Sequence, residues 1–118
     1  MVDITKGIGL FNNSDYFEAH DFFENIWISA PAGERLFYQG MVQISVGCFH
    51  LISGNTRGAV SQYNKGKTKL SGFLPSYCGI DLTKLCYDVE VIIKYIESGK
   101  AEFCYTDMPR IEKVKSIS

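Results

Sequence analysis

His20 and Glu24 stand four residues apart in Glu-Ala-His-Asp-Phe-Phe-Glu-Asn-Ile-Trp, Glu18 to Trp27. On an α-helix that spacing puts an imidazole and a carboxylate on one face. Three kinds of chemistry are open to such a pair: joint ligation of a metal ion, general acid–base work by a carboxylate in an apolar setting, or a hydrogen-bonded brace between helices. A zinc site needs one or two further ligands, yet His50 is the only other histidine and the H-E-x-x-H motif is absent. No nucleophile motif, phosphate loop or cofactor fingerprint accompanies the pair. The sequence therefore assigns no catalytic residue and leads us to expect neither a bound metal nor a cofactor.

The setting of the pair favours the brace. Stepping about 100° per residue from Phe17 as zero puts Trp27 at about 280°, His20 at about 300°, Glu24 at about 340° and Ile28 at about 20°. Tyr16 and Phe23 fall at about 260° and about 240°, while Asp21, Asn25 and Glu18 occupy a polar side between about 40° and about 100°. His20 and Glu24 are thus expected to face inward, where a carboxylate must find partners.

A second helical segment offers those partners. Phe37, Met41, Ile44, Cys48 and Leu51 form one apolar stripe. Gly40 and Gly47 lie on nearly one side of it, and glycine within a helix costs about 1 kcal/mol, which points to close packing. Arg35, Gln39, Gln43 and His50 make a further stripe. If the two segments form an antiparallel hairpin, His20 faces Gln43, Glu24 faces Gln39, Phe17 faces Val46 and Trp27 faces Arg35. At least one side-chain hydrogen bond from His20 or Glu24 to Arg35, Gln39 or Gln43 is then expected. The candidate binding pocket is His20, Glu24, Trp27, Arg35, Gln39, Gln43 and His50.

Four helical segments position these residues. Asn13 or Ser14 starts the first, and Ser29-Ala-Pro-Ala-Gly33 ends it. The second runs from about Glu34 to Ile52 and stops at Ser53-Gly54. Asn55 caps the third, which ends near Gly72. After the loop Leu74 to Gly79, Asp81 caps the fourth, whose Leu82, Leu85, Cys86, Val89, Ile93 and Ile96 recur at helical spacing before Gly99. The tail from Lys100 has no period, and strand signals are weak. The fold class is all-α, a small antiparallel bundle of about four helices, with residues 1–118 as a single helical domain.

Composition narrows the function classes. One domain of 118 residues, 46% hydrophobic and 21% charged, is globular rather than disordered. A net charge of −1 offers no positive field for nucleic acid. Lys65, Lys67 and Lys69 read as a solvated helix face. No signal peptide and no apolar run of about 20 residues is present, so the expectation is a cytoplasmic protein without membrane contact. Cys48, Cys78, Cys86 and Cys104 are then reduced thiols, with Cys48 and Cys86 on apolar stripes.

These residues also carry a likeness. Phe11-Asn12, Tyr16-Phe-Glu-Ala-His20, Glu24 and Trp27 resemble the opening of the domain of unknown function 309 family. Glu34-Arg-Leu-Phe-Tyr-Gln-Gly40, continuing Met41-Val-Gln-Ile-Ser-Val and reaching His50, is similar to its second block. Gly54-Asn55 and Gly58-Ala59 are similar to its third. The likeness covers about 11–74, with a weaker echo to 96. Asp21 stands where the family usually has glutamate, and Gly66 interrupts an alanine-rich helix. The resemblance implies a small all-helical bundle and no assigned activity.

The leading expectation is a binding or interaction module, for a small molecule or a protein partner, built on a polar-aromatic pocket and a buried polar network. The alternative is a small hydrolase-like enzyme using His20 and Glu24, with or without metal. A structural role through self-association as a homo-oligomer is the third.

Overall fold

The computed structural model describes residues 2–99 and 107–114. Among them five α-helices follow in order: α1 (Thr5–Asn12), α2 (Tyr16–Ser29), α3 (Arg35–Ile52), α4 (Thr56–Leu70) and α5 (Leu82–Glu97). The four expected segments are α2 to α5, and the fold is mainly all-α. Helix α3 lies centrally, packed on α2 along one side and on α4 along another, while α1 leans on α2 and α5 on α4. None of the described helices is long and apolar enough to cross a membrane.

Local chemistry accounts for several boundaries. The Asn55 Oδ1 accepts the Gly58 N–H at 2.9 Å, and the Asp81 Oδ1 accepts the Lys84 N–H at 3.0 Å. Each satisfies a backbone donor that the first turn of a helix leaves over. The start of α2 departs from expectation. Asp15 occupies its cap position without a side-chain cap bond, and Ser14 takes the left-handed turn at φ 66° instead.

Helix α1 is the largest addition. Its eight residues include Gly7 and Gly9 and carry no side-chain cap, so intrinsic propensity is poor. Packing supplies what propensity lacks. Ile4, Ile8 and Phe11 are buried, and Gly7 sits so close to α2 that a methyl there would come within 2.5 Å of the Phe22 ring.

Glycine sets the approach of α3 and α4 as well. A Cβ on Gly40 would meet the Gly66 carbonyl at 3.3 Å, and one on Gly66 would meet the Gly40 carbonyl at 3.1 Å. Gly66 therefore marks a close crossing rather than a flaw in the helix. Of the α4 lysines Lys65 is exposed as expected, while the other two find partners: Lys67 pairs with Glu90 on α5, and the Lys69 Nζ donates to the Gln43 Oε1 of α3 at 2.9 Å.

Between α4 and α5 a 3-10 turn (Ser71–Phe73) leads into a short hairpin, β1 (Ser76–Tyr77) against antiparallel β2 (Ile80–Asp81). Cys78 and Gly79 form its turn, both at positive φ, as a two-residue hairpin turn of this kind demands. Residues 107–114 return to this hairpin. The Val114 N–H donates to the Gly79 carbonyl at 2.8 Å and the Asp81 N–H to the Glu112 carbonyl at 2.8 Å. Asn12 holds the same segment, its Nδ2 donating to the Ile111 carbonyl and its Oδ1 accepting the Ile111 N–H, both at 2.8 Å.

The core runs from Phe11 and Phe23 through Phe37, Met41, Ile44 and Tyr63 to Leu85 and Ile92. Cys48 lies fully inside it and accepts the Tyr63 hydroxyl at 3.1 Å. Burial pushes its thiol up to about 12. Cys86 is only half-buried, at the edge of its stripe, and Cys104 lies outside the described residues.

Candidate functional site

The antiparallel hairpin of α2 and α3 presents one outward face. At one end the Arg35 guanidinium sits 5.5 Å from the centre of the Trp27 ring, the contact the hairpin register requires. At the other end Phe17 of α2 lies 6.1 Å from Phe49 of α3, ring centre to ring centre. At this second end Phe17, His20, Val46, Phe49 and His50 line a groove of about 250 Å³. Phe17 is 52% exposed and Phe49 40%. The facing of Phe17 and Val46 matches the register as well.

The polar half of that register turns out differently. The His20 side chain is 23% exposed and that of Glu24 40%, so neither is enclosed as expected. The buried face of α2 is Tyr16, Ala19 and Phe23, at about 260°, about 200° and about 240° on the same wheel. It is centred well away from His20 and Glu24. The cause is α1. Apolar residues wrap most of α2, and α1 claims the Phe22–Phe23 side while α3 takes the adjoining one. Phe17 and Ile28 are left on the outer edge.

His20 therefore bonds within its own helix. Its Nε2 lies 3.1 Å from the Glu24 Oε2, and its Nδ1 lies 3.3 Å from the Phe17 carbonyl and 3.4 Å from the Asp21 Oδ1. Among the described residues no hydrogen bond joins His20 or Glu24 to Arg35, Gln39 or Gln43, which corrects that expectation. Gln43 turns to Lys69, and half-buried Gln39 makes no such bond. His50 takes another partner, its Nδ1 lying 3.3 Å from the Asn55 Nδ2.

The structure thus brings His20 and His50 to one groove and ties Glu24 to His20. Trp27 and Arg35 stand about two and about three helical turns further along their helices. Phe17, Val46 and Phe49 are the lining residues that the proposed pocket lacked. Val46 and Phe49 stand three apart and off the Phe37–Leu51 core stripe, which is the signal that marks them. Wider hollows of about 390 and about 530 Å³ flank the hairpin and the tail; neither contains a histidine.

Chemically, the His20, Asp21 and Glu24 donor atoms lie within 4.8 Å of one another and could hold a divalent cation from one side. All three come from a single helix, so solvent or a ligand would complete the coordination. The groove itself offers aromatic and aliphatic surface with two imidazoles in its lining.

Comparison with known proteins adds a family. No curated protein matches the sequence as a relative. Residues 4–62, half of the 118-residue chain, match the family described as "Domain of unknown function (DUF309)". That span covers α1, α2, α3 and the start of α4, and so every residue of the groove. The chain belongs to the DUF309 family.

Proposed function

We propose that this protein is a binding module, and that its ligand site is the groove between α2 and α3. The observation that carries the reading is the pair Phe17 and Phe49, two phenylalanines of adjacent helices left open around a concave surface. Leaving large apolar surface in water forgoes about 25 cal/mol per Å², and a ligand that covers it recovers that free energy. Fixed imidazoles beside an apolar wall suit recognition of a small molecule that combines an apolar body with few polar atoms. The chain's composition and the absence of a membrane-spanning helix among its described residues support a cytoplasmic setting.

The test is a titration of the full chain with toluene, followed by NMR. Saturable shifts confined to Phe17, Val46, Phe49 and the histidine rings support the reading, and their weakening in Phe49→Ser locates it. Shifts spread over the surface, or none, would remove it.

A second reading keeps His20 and Glu24 as the working pair of a small hydrolase-like enzyme. The observation in its favour is the 4.8 Å cluster with Asp21, which provides both a carboxylate and a set of metal donors.

A further inference from the structure

We infer that the groove takes an uncharged apolar molecule bearing a hydrogen-bond acceptor, and that the His50 Nε2–H reads that acceptor. This rests on the binding reading above and names the ligand class.

The argument begins at the cap of α4. The Asn55 Oδ1 is engaged by the Gly58 N–H at 2.9 Å, which decides which end of the amide is oxygen. The other end, the Nδ2 amide, therefore faces the His50 Nδ1 at 3.3 Å. An amide NH₂ can only donate, so the Nδ1 it meets must offer a lone pair. The ring proton of neutral His50 then sits on Nε2. The Asn55 backbone N–H donates to the His50 carbonyl at 2.8 Å, which holds the two residues together. Among the described residues nothing accepts from Nε2, and half-buried His50 lines the groove. A lone donor beside an apolar wall selects a ligand that brings an acceptor.

His20 does not compete for this role. Both of its ring nitrogens already face oxygens of α2: Glu24 on one side, Phe17 and Asp21 on the other. The same Asp21 and Glu24 carboxylates set the charge of the ligand. They lie against His20, itself part of the groove wall, and their negative charge disfavours a further carboxylate in the groove, so a ketone or amide carbonyl fits better than an organic acid. A groove of about 250 Å³ has room for roughly one substituted ring.

The experiment compares acetophenone, toluene and benzoate as probes of the full chain at mildly alkaline pH, read by chemical shifts of Phe17, Val46, Phe49 and His50. Acetophenone should bind about fivefold more tightly than toluene, the worth of one net hydrogen bond, and benzoate more weakly than acetophenone. His50→Phe should bring acetophenone down to toluene while toluene still binds. Asn55→Asp keeps the cap oxygen but removes the amide donor. It should move the His50 proton to Nδ1, visible in the ring nitrogen shifts, and abolish the carbonyl preference.

Equal binding of acetophenone and toluene overturns the inference and leaves the groove as an apolar site. An Nδ1–H tautomer in the unaltered protein, or tighter binding of benzoate, overturns it too. Binding of neither neutral probe overturns the groove reading together with it.

Discussion

Gly47 of α3 lies flat against the ring of Tyr63 on α4. A methyl group on Gly47 would come within 2.5 Å of the Tyr63 Cδ1 and 2.7 Å of its Cε1. Tyr63 is fully buried with its hydroxyl on Cys48, so the ring has nowhere to move. Alanine is the better helix former by about 1 kcal/mol, but overpacking costs about 1–3 kcal/mol. Gly47→Ala should therefore destabilise. Gly9→Ala, with nothing within 4 Å of the added methyl, should stabilise by about 0.5–1 kcal/mol. Urea midpoints at unchanged slope check both signs, and a stabilised Gly47→Ala would contradict the packing.

Asn12 and Glu24 make a second contrast. Asn12 exchanges two hydrogen bonds with Ile111 and is part-buried. Its loss strands a backbone donor and acceptor, at about 1–3 kcal/mol for Asn12→Ala. Glu24 pairs with His20 in a partly exposed setting, so Glu24→Ala should stay within about 0.5 kcal/mol of Glu18→Ala. Denaturation of the three variants side by side decides the order, and a large loss from Glu24→Ala would restore the enclosed network.

Alkali should unfold the protein from within. Burial pushes the Cys48 thiol from 9.0 up to about 12, and the Tyr16 hydroxyl from 10.0 up to about 12. Between the ordinary and the raised values the unfolded chain has released protons that the folded chain retains. Their contribution is complete below pH 9 and is lost as pH rises toward about 12. In Cys48→Ala the decline between pH 9 and 10 should be shallower, since the most deeply buried of the thiols that titrate before the tyrosines is gone. Native Cys48 should also alkylate far more slowly than in urea, as mass spectrometry of labelled peptides would show. Equal rates would place it outside the core.

The His20 cluster separates the two functional readings. Protein purified without added metal should carry no stoichiometric zinc, iron or manganese by elemental analysis. A near-equimolar metal that disappears in His20→Ala would move the balance to the hydrolase-like reading.

Much of the bundle was legible because its signals are local. Asn55 and Asp81 reach donors only three residues ahead, so type and position alone define two helix starts. The stripe from Phe37 to Leu51 is buried because it repeats over four turns and outweighs any single neighbour. Gly40 and Gly47 marked a close approach because only a packing gain offsets glycine's cost within a helix. Trp27 over Arg35 followed from the short connection between α2 and α3.

What the sequence by itself determined is therefore the helical class, most helix limits and the antiparallel pairing of α2 with α3. Each depends on contacts near in the chain or on the period of an apolar stripe. The tertiary structure alone decided which part of the aromatic band on α2 is core. That depends on α1, whose glycines disfavour a helix by themselves and which Phe22 and Phe23 hold by closing over Gly7. It also decided the fates of Ile80 and Ile111, buried by a short hairpin and a returning tail about 30 residues apart, since no local propensity encodes a pairing so distant in the chain. The groove followed from the same competition: once α1 and α3 had covered two sides of α2, Phe17 was left beside Phe49 with water on its open face.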